Sequence, residues 1–414
     1  MKYSTYLLGI IYLGLAFSAL VYARPVLRGH PDDWPQWRGP NRDGISAEKG
    51  ILKSWDDSGP ETIWRVASGD GYAGIAVANG RLFTAWGGGR SAYLVCYDAA
   101  TGKQLWKTKL GANSFLDQGN GPRATPLVDG DLVYMIDGFA KLFAVRAQSG
   151  DVAWQRDLER EYGSRVPRWG YSSSPMVLGD KLIVTVGGKS DYAYMAFNKA
   201  NGAEIWHAGN DEPGYSSPIL VTIAGTQQLI FFSASGLHGV SPADGTIFWK
   251  YGWRTSYDVN AANPIFIGPD KIFISSSYGT GAAVIQISKN GNQFSAETVW
   301  KNRIMKNHFN SSVLWKGYIY GFDNGILKCI EAQTGEEMWK ARGFQKGQLI
   351  LADGHLIVLG EQGMLAVAEA TPKAYIERAR SKVLSGRCWT MPTLANGILF
   401  VRNQSAMLAL KFSK

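Results

Sequence analysis

Cysteine is almost absent from this chain of 414 residues: Cys96, Cys329 and Cys388 are the whole set, and no two are adjacent. A disulfide framework is excluded, since so few bridges could not staple a chain of this length. Histidine is as sparse, with His30, His207, His238, His308 and His355 scattered and no pair at metal-ligand spacing, so a zinc site is not expected. Charged residues make up only 19% of the chain, and 43 cations against 34 acids leave a formal charge of +9. That excess permits weak attraction to anionic partners. No Lys/Arg run with interleaved aromatics, zinc-finger spacing or helix-turn-helix pattern accompanies it, so no nucleic-acid partner is expected. Catalytic signatures are missing too. No G-x-S-x-G elbow occurs, and Gly69–Gly74 spells G-x-G-x-x-G ahead of a short strand rather than a helix, which removes the dinucleotide reading.

Long apolar runs are confined to Tyr6–Tyr22, preceded by Lys2 and followed by small residues at Val21 and Ala23. This pattern predicts a signal peptide over residues 1–23, cut after Ala23, and a periplasmic or secreted protein. An uncleaved anchor giving membrane association is the alternative, because the run approaches bilayer-spanning length. Residues 24–53 contain WPQWRGPNRDGIS (Trp34–Ser46), without strand alternation, and are expected to form an N-terminal strap whose aromatics pack on the surface of the following domain.

What the chain has in abundance is glycine (49) and tryptophan (15), arranged in one recurring sentence. CYDAATGKQLW ends at Trp106, and its copies end at Trp154, Trp206, Trp249 and Trp339, each Trp four residues after a turn Gly. Weaker copies end at Trp64, at Trp300 and at Ile376, where Pro372 replaces the Gly. Each reads as strand, tight turn, strand, with the Gly in the left-handed region. Intervals between successive repeat tryptophans run from 39 to 52 residues. Short strands at that period mark four-stranded propeller blades. The last segment supplies three strands and stops, whereas Glu61–Val66 is an outer strand without a blade. Pairing them gives an all-β, eight-bladed β-propeller over residues 54–414, closed by N- and C-terminal strands sharing the last blade. A flat indole on an outer strand can cover the glycine turn of the next blade, so the repeated tryptophans are read as structural.

Residues just before each innermost strand should ring one mouth of the central channel. They are Tyr72, Arg123, Tyr171, Tyr215, Asn260, Asn310, Gln348 and Trp389, with Trp169 and His308 close by. This set suits flat or sugar-like ligands, or an extended peptide. No residue is assigned as catalytic and no metal site is expected.

The repeat resembles the PQQ-like repeat of quinoprotein dehydrogenases and of the propeller lipoprotein in the outer-membrane β-barrel assembly machine. WPQWRGPNRDGIS, MKNHFNSSVLWKGYIYGFDNG, RGFQKGQLILADGHLIVLGEQG and GRCWTMPTLANG are similar to segments of the bacterial PQQ-binding-like β-propeller repeat proteins, and the likeness covers residues 34–414. It implies two uses. One is an exported, non-catalytic propeller, expected to be a monomer, that binds a protein or polysaccharide partner through its rim and funnel. The other is a small oxidoreductase holding pyrroloquinoline quinone with Ca²⁺, for which Asp258, Asn260, Asn263, Asp323 and Asn324 are the candidate oxygen donors. The dehydrogenases carry a vicinal disulfide beside the quinone, and this chain has no adjacent cysteines. The first use is therefore preferred, with no cofactor expected.

Overall fold

The computed structural model describes Met1 and residues 30–413. The expected signal peptide, Met1 apart, lies outside the described residues. The described residues form eight sheets, each built on a four-stranded antiparallel meander whose strands are here lettered A to D from the channel outward. Blade 1 is Ala76–Ala78, Arg81–Gly88, Ser91–Asp98 and Gln104–Ala112. Blades 2 to 7 follow in order, with A strands starting at Leu127, Met176, Ile219, Ile265, Val313 and Gln348. Blade 8 takes strands A to C from Thr393–Ala395, Ile398–Arg402 and Ala406–Lys411, and strand D from Thr62–Ala67. The register Trp64↔Ala409 closes the ring as the sequence predicts. Leu158–Tyr162 is the one α-helix among the described residues.

The repeated Trp-Gly pair explains why the blades stay in register. Gly102 and Gly150 adopt φ of 71° and 82°. A Cβ on either would lie 2.8 Å from the indole of Trp64 or Trp106 on the preceding blade. Only glycine satisfies both the backbone and the contact. Each indole N–H also donates to a carbonyl of the neighbouring turn: Trp64 to Ala99 at 2.9 Å, Trp106 to Ala147 at 3.0 Å, Trp154 to Lys199 at 3.0 Å, and Trp300 to Ala332 at 3.1 Å. Trp249 departs from the rule and donates to Gln228 Oε1 in its own blade, at 2.7 Å. Its neighbour, blade 5, has a long hairpin over Gly281–Asn290 and Gln293–Asn302 in place of the Thr-Gly turn. In blade 7 the position of the repeat Trp falls to Ala379 rather than Ile376, because the pairing runs Val367↔Ala379 and then Ala368↔Glu377. The turn around Pro372 is longer than the Gly turn, which shifts the register. Trp339 still reaches it, donating to Thr371 O at 2.8 Å.

The cysteines are buried thiols, Cys96 and Cys329 each facing a repeat Trp across strands C and D. Burial pushes all three up to about 12, so they stay protonated.

Residues 34–46 do not lie as a strap over the outer surface. They fill the channel, and Trp34 and Arg38 are 1% exposed. Trp34 exchanges both backbone bonds with Val77 of blade 1, Val128 N of blade 2 donates to Pro35 O, and Arg42 donates to Ser174 O and Pro175 O beside blade 3. Trp37 Nε1 donates to Asn263 Oδ1 at 2.9 Å and Arg38 to Ser312 O at 2.6 Å. Ile45–Ser46 then pairs parallel with strand A of blade 7, and Glu48 accepts from Gly397 N of blade 8. The physical reason is that strand A of every blade turns unpaired backbone groups into the channel, and these need partners. Two guanidiniums supply them without a carboxylate contact. Burial lowers Arg38 to about 10 and Arg42 to about 9, and for Arg42 the charge of Arg38 adds to the effect.

Candidate functional site: the aromatic funnel

With one end filled, the other end of the channel is a blind funnel of about 480 Å³ with Trp37 among its walls. Its mouth is an annulus of seven rings closed by one guanidinium. Trp169 meets Tyr257 at 5.9 Å between centroids, Tyr257 meets Tyr278 at 5.8 Å, and Tyr278 meets His308 at 5.3 Å. His308 continues to Phe309 at 5.3 Å, Phe309 to Trp389 at 4.5 Å and Trp389 to Tyr72 at 5.1 Å. Arg123 closes the circle, its guanidinium 5.0 Å over the Tyr72 ring and its Nε donating to Trp169 O at 2.6 Å. The tilted and edge-on geometries are those aromatic pairs prefer.

The rings are held from behind. Trp169 Nε1 donates to Asp117 at 2.6 Å and Trp389 Nε1 to Glu361 at 2.9 Å. Tyr72 donates to Gln118 O and accepts from Gln404 and Arg387. Tyr215 accepts from Trp169 N, and burial pushes its phenol up to about 12. Tyr257 and Tyr278 sit on left-handed backbone, with φ of 61° and 55°. Such a conformation is rare for a bulky residue and is found where surrounding structure imposes it.

Seven of the ten residues expected at the mouth line this funnel: Tyr72, Arg123, Trp169, Tyr215, His308, Gln348 and Trp389. Tyr171, Asn260 and Asn310 do not. Tyr171 is buried with its hydroxyl on Val186 O and Ser164. Asn260 donates to Ser233 O at 2.8 Å and Trp253 O at 3.0 Å, and Asn310 donates to Gly347 O at 2.9 Å. Each turns inward because the connecting loop leaves carbonyls that need a donor, while its neighbours Ser172, Val259, Ala261 and Phe309 face the funnel. Sequence reasoning missed Trp37, Tyr257, Tyr278, Phe309 and Lys346. The aromatic–polar runs SYD and NHF, in the loops that lead to the A strands of blades 5 and 6, are the available signal for Tyr257 and Phe309.

Electrostatically the funnel is one-sided: Arg123 and Lys346 are in its lining and no Asp or Glu is. His308 donates or accepts through Nε2 at 3.1 Å from Tyr278 OH. Burial, reinforced by Lys346, lowers it to about 4, so it is neutral at physiological pH. A calcium-held quinone does not fit these residues. Asp323 is bound to Lys306 at 2.6 Å and Lys328 at 3.0 Å, and Asn324 accepts from Ser277 at 2.7 Å. Asn260 is taken up by carbonyls, and Asn263 Oδ1 by the Trp37 indole. No cluster of three acidic, Cys or His side chains occurs among the described residues. Calcium requires several converging oxygens, and a carboxylate-free lining does not supply them.

Comparison with known proteins agrees with this architecture. The family described as outer membrane protein assembly factor BamB matches residues 48–134 and 115–341. The outer membrane protein assembly factor BamB of Yersinia pestis is 24% identical over 372 residues, covering 84% of this chain and 87% of its own length. Its counterpart from Moranella endobia is 25% identical over 329 residues, or 73% and 78%. Among solved structures, BamB from Moraxella catarrhalis superposes with a TM-score of 0.61 at 14% identity, covering 86% of this chain and 100% of that one. Quinohemoprotein alcohol dehydrogenase from Comamonas testosteroni gives 0.65 at 11% identity, covering 92% and 81%. At such identities these two likenesses speak to the fold alone. The sequence match over most of the ring says more: the chain belongs to the PQQ-like propeller family described as outer membrane protein assembly factor BamB.

Proposed function

We propose that this protein is an extracytoplasmic docking propeller that holds a partner protein at its funnel mouth and performs no chemistry there. The observation that carries the reading is the aromatic annulus. Trp169, Trp389 and Tyr72 are fixed by hydrogen bonds from behind, and all three line the funnel. Rigid Trp and Tyr rings with an Arg among them are the side chains that dominate protein–protein binding energy, since they bring large area at low entropic cost. The relatives named as outer membrane protein assembly factors support a protein partner and a place outside the cytoplasm.

The test is site-specific photocrosslinking in the full chain. A benzophenone side chain at Tyr257, on the lip, is expected to give one adduct of defined mass, and the same group at Ile205, on an outer strand, none. Adducts from Ile205 alone would move the docking surface to the blade edges. Saturable binding of pyrroloquinoline quinone with Ca²⁺, raising the melting temperature, would sink the non-catalytic reading outright.

A further inference from the structure

The funnel has three properties that together restrict what it can hold. It is blind, because residues 34–46 fill the channel beneath it and Trp37 forms part of its wall. A chain cannot thread through it, so only a chain end enters fully. Its volume of about 480 Å³ admits a few residues at most. And its lining carries cations without a carboxylate. Arg123 is already committed to Trp169 O and Gly119 O. Lys346 is different: its Nζ enters no ion pair or hydrogen bond among the described residues, and its backbone N–H, not its ammonium, takes the nearby Glu361. His308, also in the lining, leaves Nδ1 buried with no partner.

We propose that the funnel captures the free C-terminal carboxylate of a partner polypeptide, with the carboxylate beside Lys346 and the last side chain against the aromatic annulus. The inference rests on the docking reading above and deepens it. An ammonium facing a carboxylate inside a partly desolvated pocket forms a charge-assisted bond stronger than a neutral one. The rings supply apolar contact to the terminal side chain, which favours an aromatic or large aliphatic last residue. Recognition of a terminal carboxylate in a closed concavity is a recurring way to read a peptide end. An internal loop would have to bend within the funnel and would leave Lys346 without a counter-charge.

The experiment is calorimetric titration of the full chain with the peptide Ac-Ser-Val-Ser-Phe as its free acid and as its C-terminal amide, with hexagalacturonate as a third probe. The free acid is expected to bind saturably and the amide at least about tenfold more weakly, as loss of a charge-assisted bond requires. Lys346→Met should weaken the free acid to the level of the amide and leave the amide unchanged, and Lys346→Arg should restore the difference. Equal binding of acid and amide would overturn the chain-end proposal while leaving a docking funnel. Binding of neither peptide, with the Tyr257 crosslink intact, would do the same and point to an internal segment. Binding of hexagalacturonate alone would overturn both readings in favour of an acidic polysaccharide.

Discussion

The two ends of the channel are built from similar side chains and come out opposite in character. At the filled end, Arg38, Arg42 and Trp34 are buried, and both guanidiniums donate to backbone carbonyls. At the open end, Lys346 has no ionic partner among the described residues, and Trp169, Trp389 and Tyr72 line the cavity. Arginine and tryptophan therefore carry no functional meaning by type. What distinguishes the ends is how far their cations are already used within the chain: Arg38 and Arg42 donate to five backbone carbonyls, with Nη1 of Arg38 and Nε of Arg42 left over, whereas Lys346 Nζ makes no bond among the described residues. The filled end is a structural core that happens to be charged, and the open end is a surface with unmet capacity.

Breaking the filled end should have the largest effect. Arg38→Ala leaves the carbonyls of Arg42, Asp43 and Ser312 without a donor in a closed channel, and is expected to cost roughly 3 kcal/mol or more in urea denaturation. Trp37→Ala removes the wall between the two ends and its bond to Asn263, and should cost roughly 2–3 kcal/mol, less than for a fully buried indole. If Arg38→Ala proved as harmless as a surface change, the contrast between the ends would collapse.

The open end is sharpened by pH. His308 titrates at about 4 in the folded protein against 6.5 in the unfolded chain. Between those values the unfolded state binds the extra proton, so stability falls as pH drops from about 6.5 to about 4 and is level below. His238, buried against Tyr194 and depressed by the same desolvation, adds to this loss. Asp137 acts in the other direction, since burial raises it to about 6 and favours the folded state as pH falls through that value. The His308→Gln variant isolates the funnel's share: its melting temperature should fall less on acidification than that of the parent. The smallest effect is expected from Lys346→Met, within about 0.5 kcal/mol at pH 7, as for surface changes generally. That variant should also move the His308 titration upward, because the ammonium contributes to its depression.

The sequence carries the fold openly, because the requirement that one indole cover one glycine recurs at five of the eight seams and leaves the same two letters each time. It fails where a seam uses other means, as at Trp249, which bonds within its own blade, and at Ala379, where a longer turn shifts the register. The funnel is legible by position for residues directly ahead of a strand, such as Tyr72 and Trp389. It is illegible where a loop sets the direction of the side chain. Tyr257 and Tyr278 reach the mouth through left-handed backbone, and Asn260 turns away to satisfy three carbonyls. Nor does any local pattern announce that WPQWRGPNRDGIS belongs inside the ring, because its partners, from Val77 to Ala352, lie on strands far along the chain.

The path of residues 34–46 also fixes an order of events. This segment and the outer strand of blade 8 are synthesised before the blades they join, and their partners include Leu351 and Ala409. Neither can settle until nearly the whole chain exists. Pairings of such sequence separation make folding slow. The ring must therefore assemble around its own beginning, and a chain interrupted anywhere before Thr393 would leave the last seam waiting for strands that never arrive.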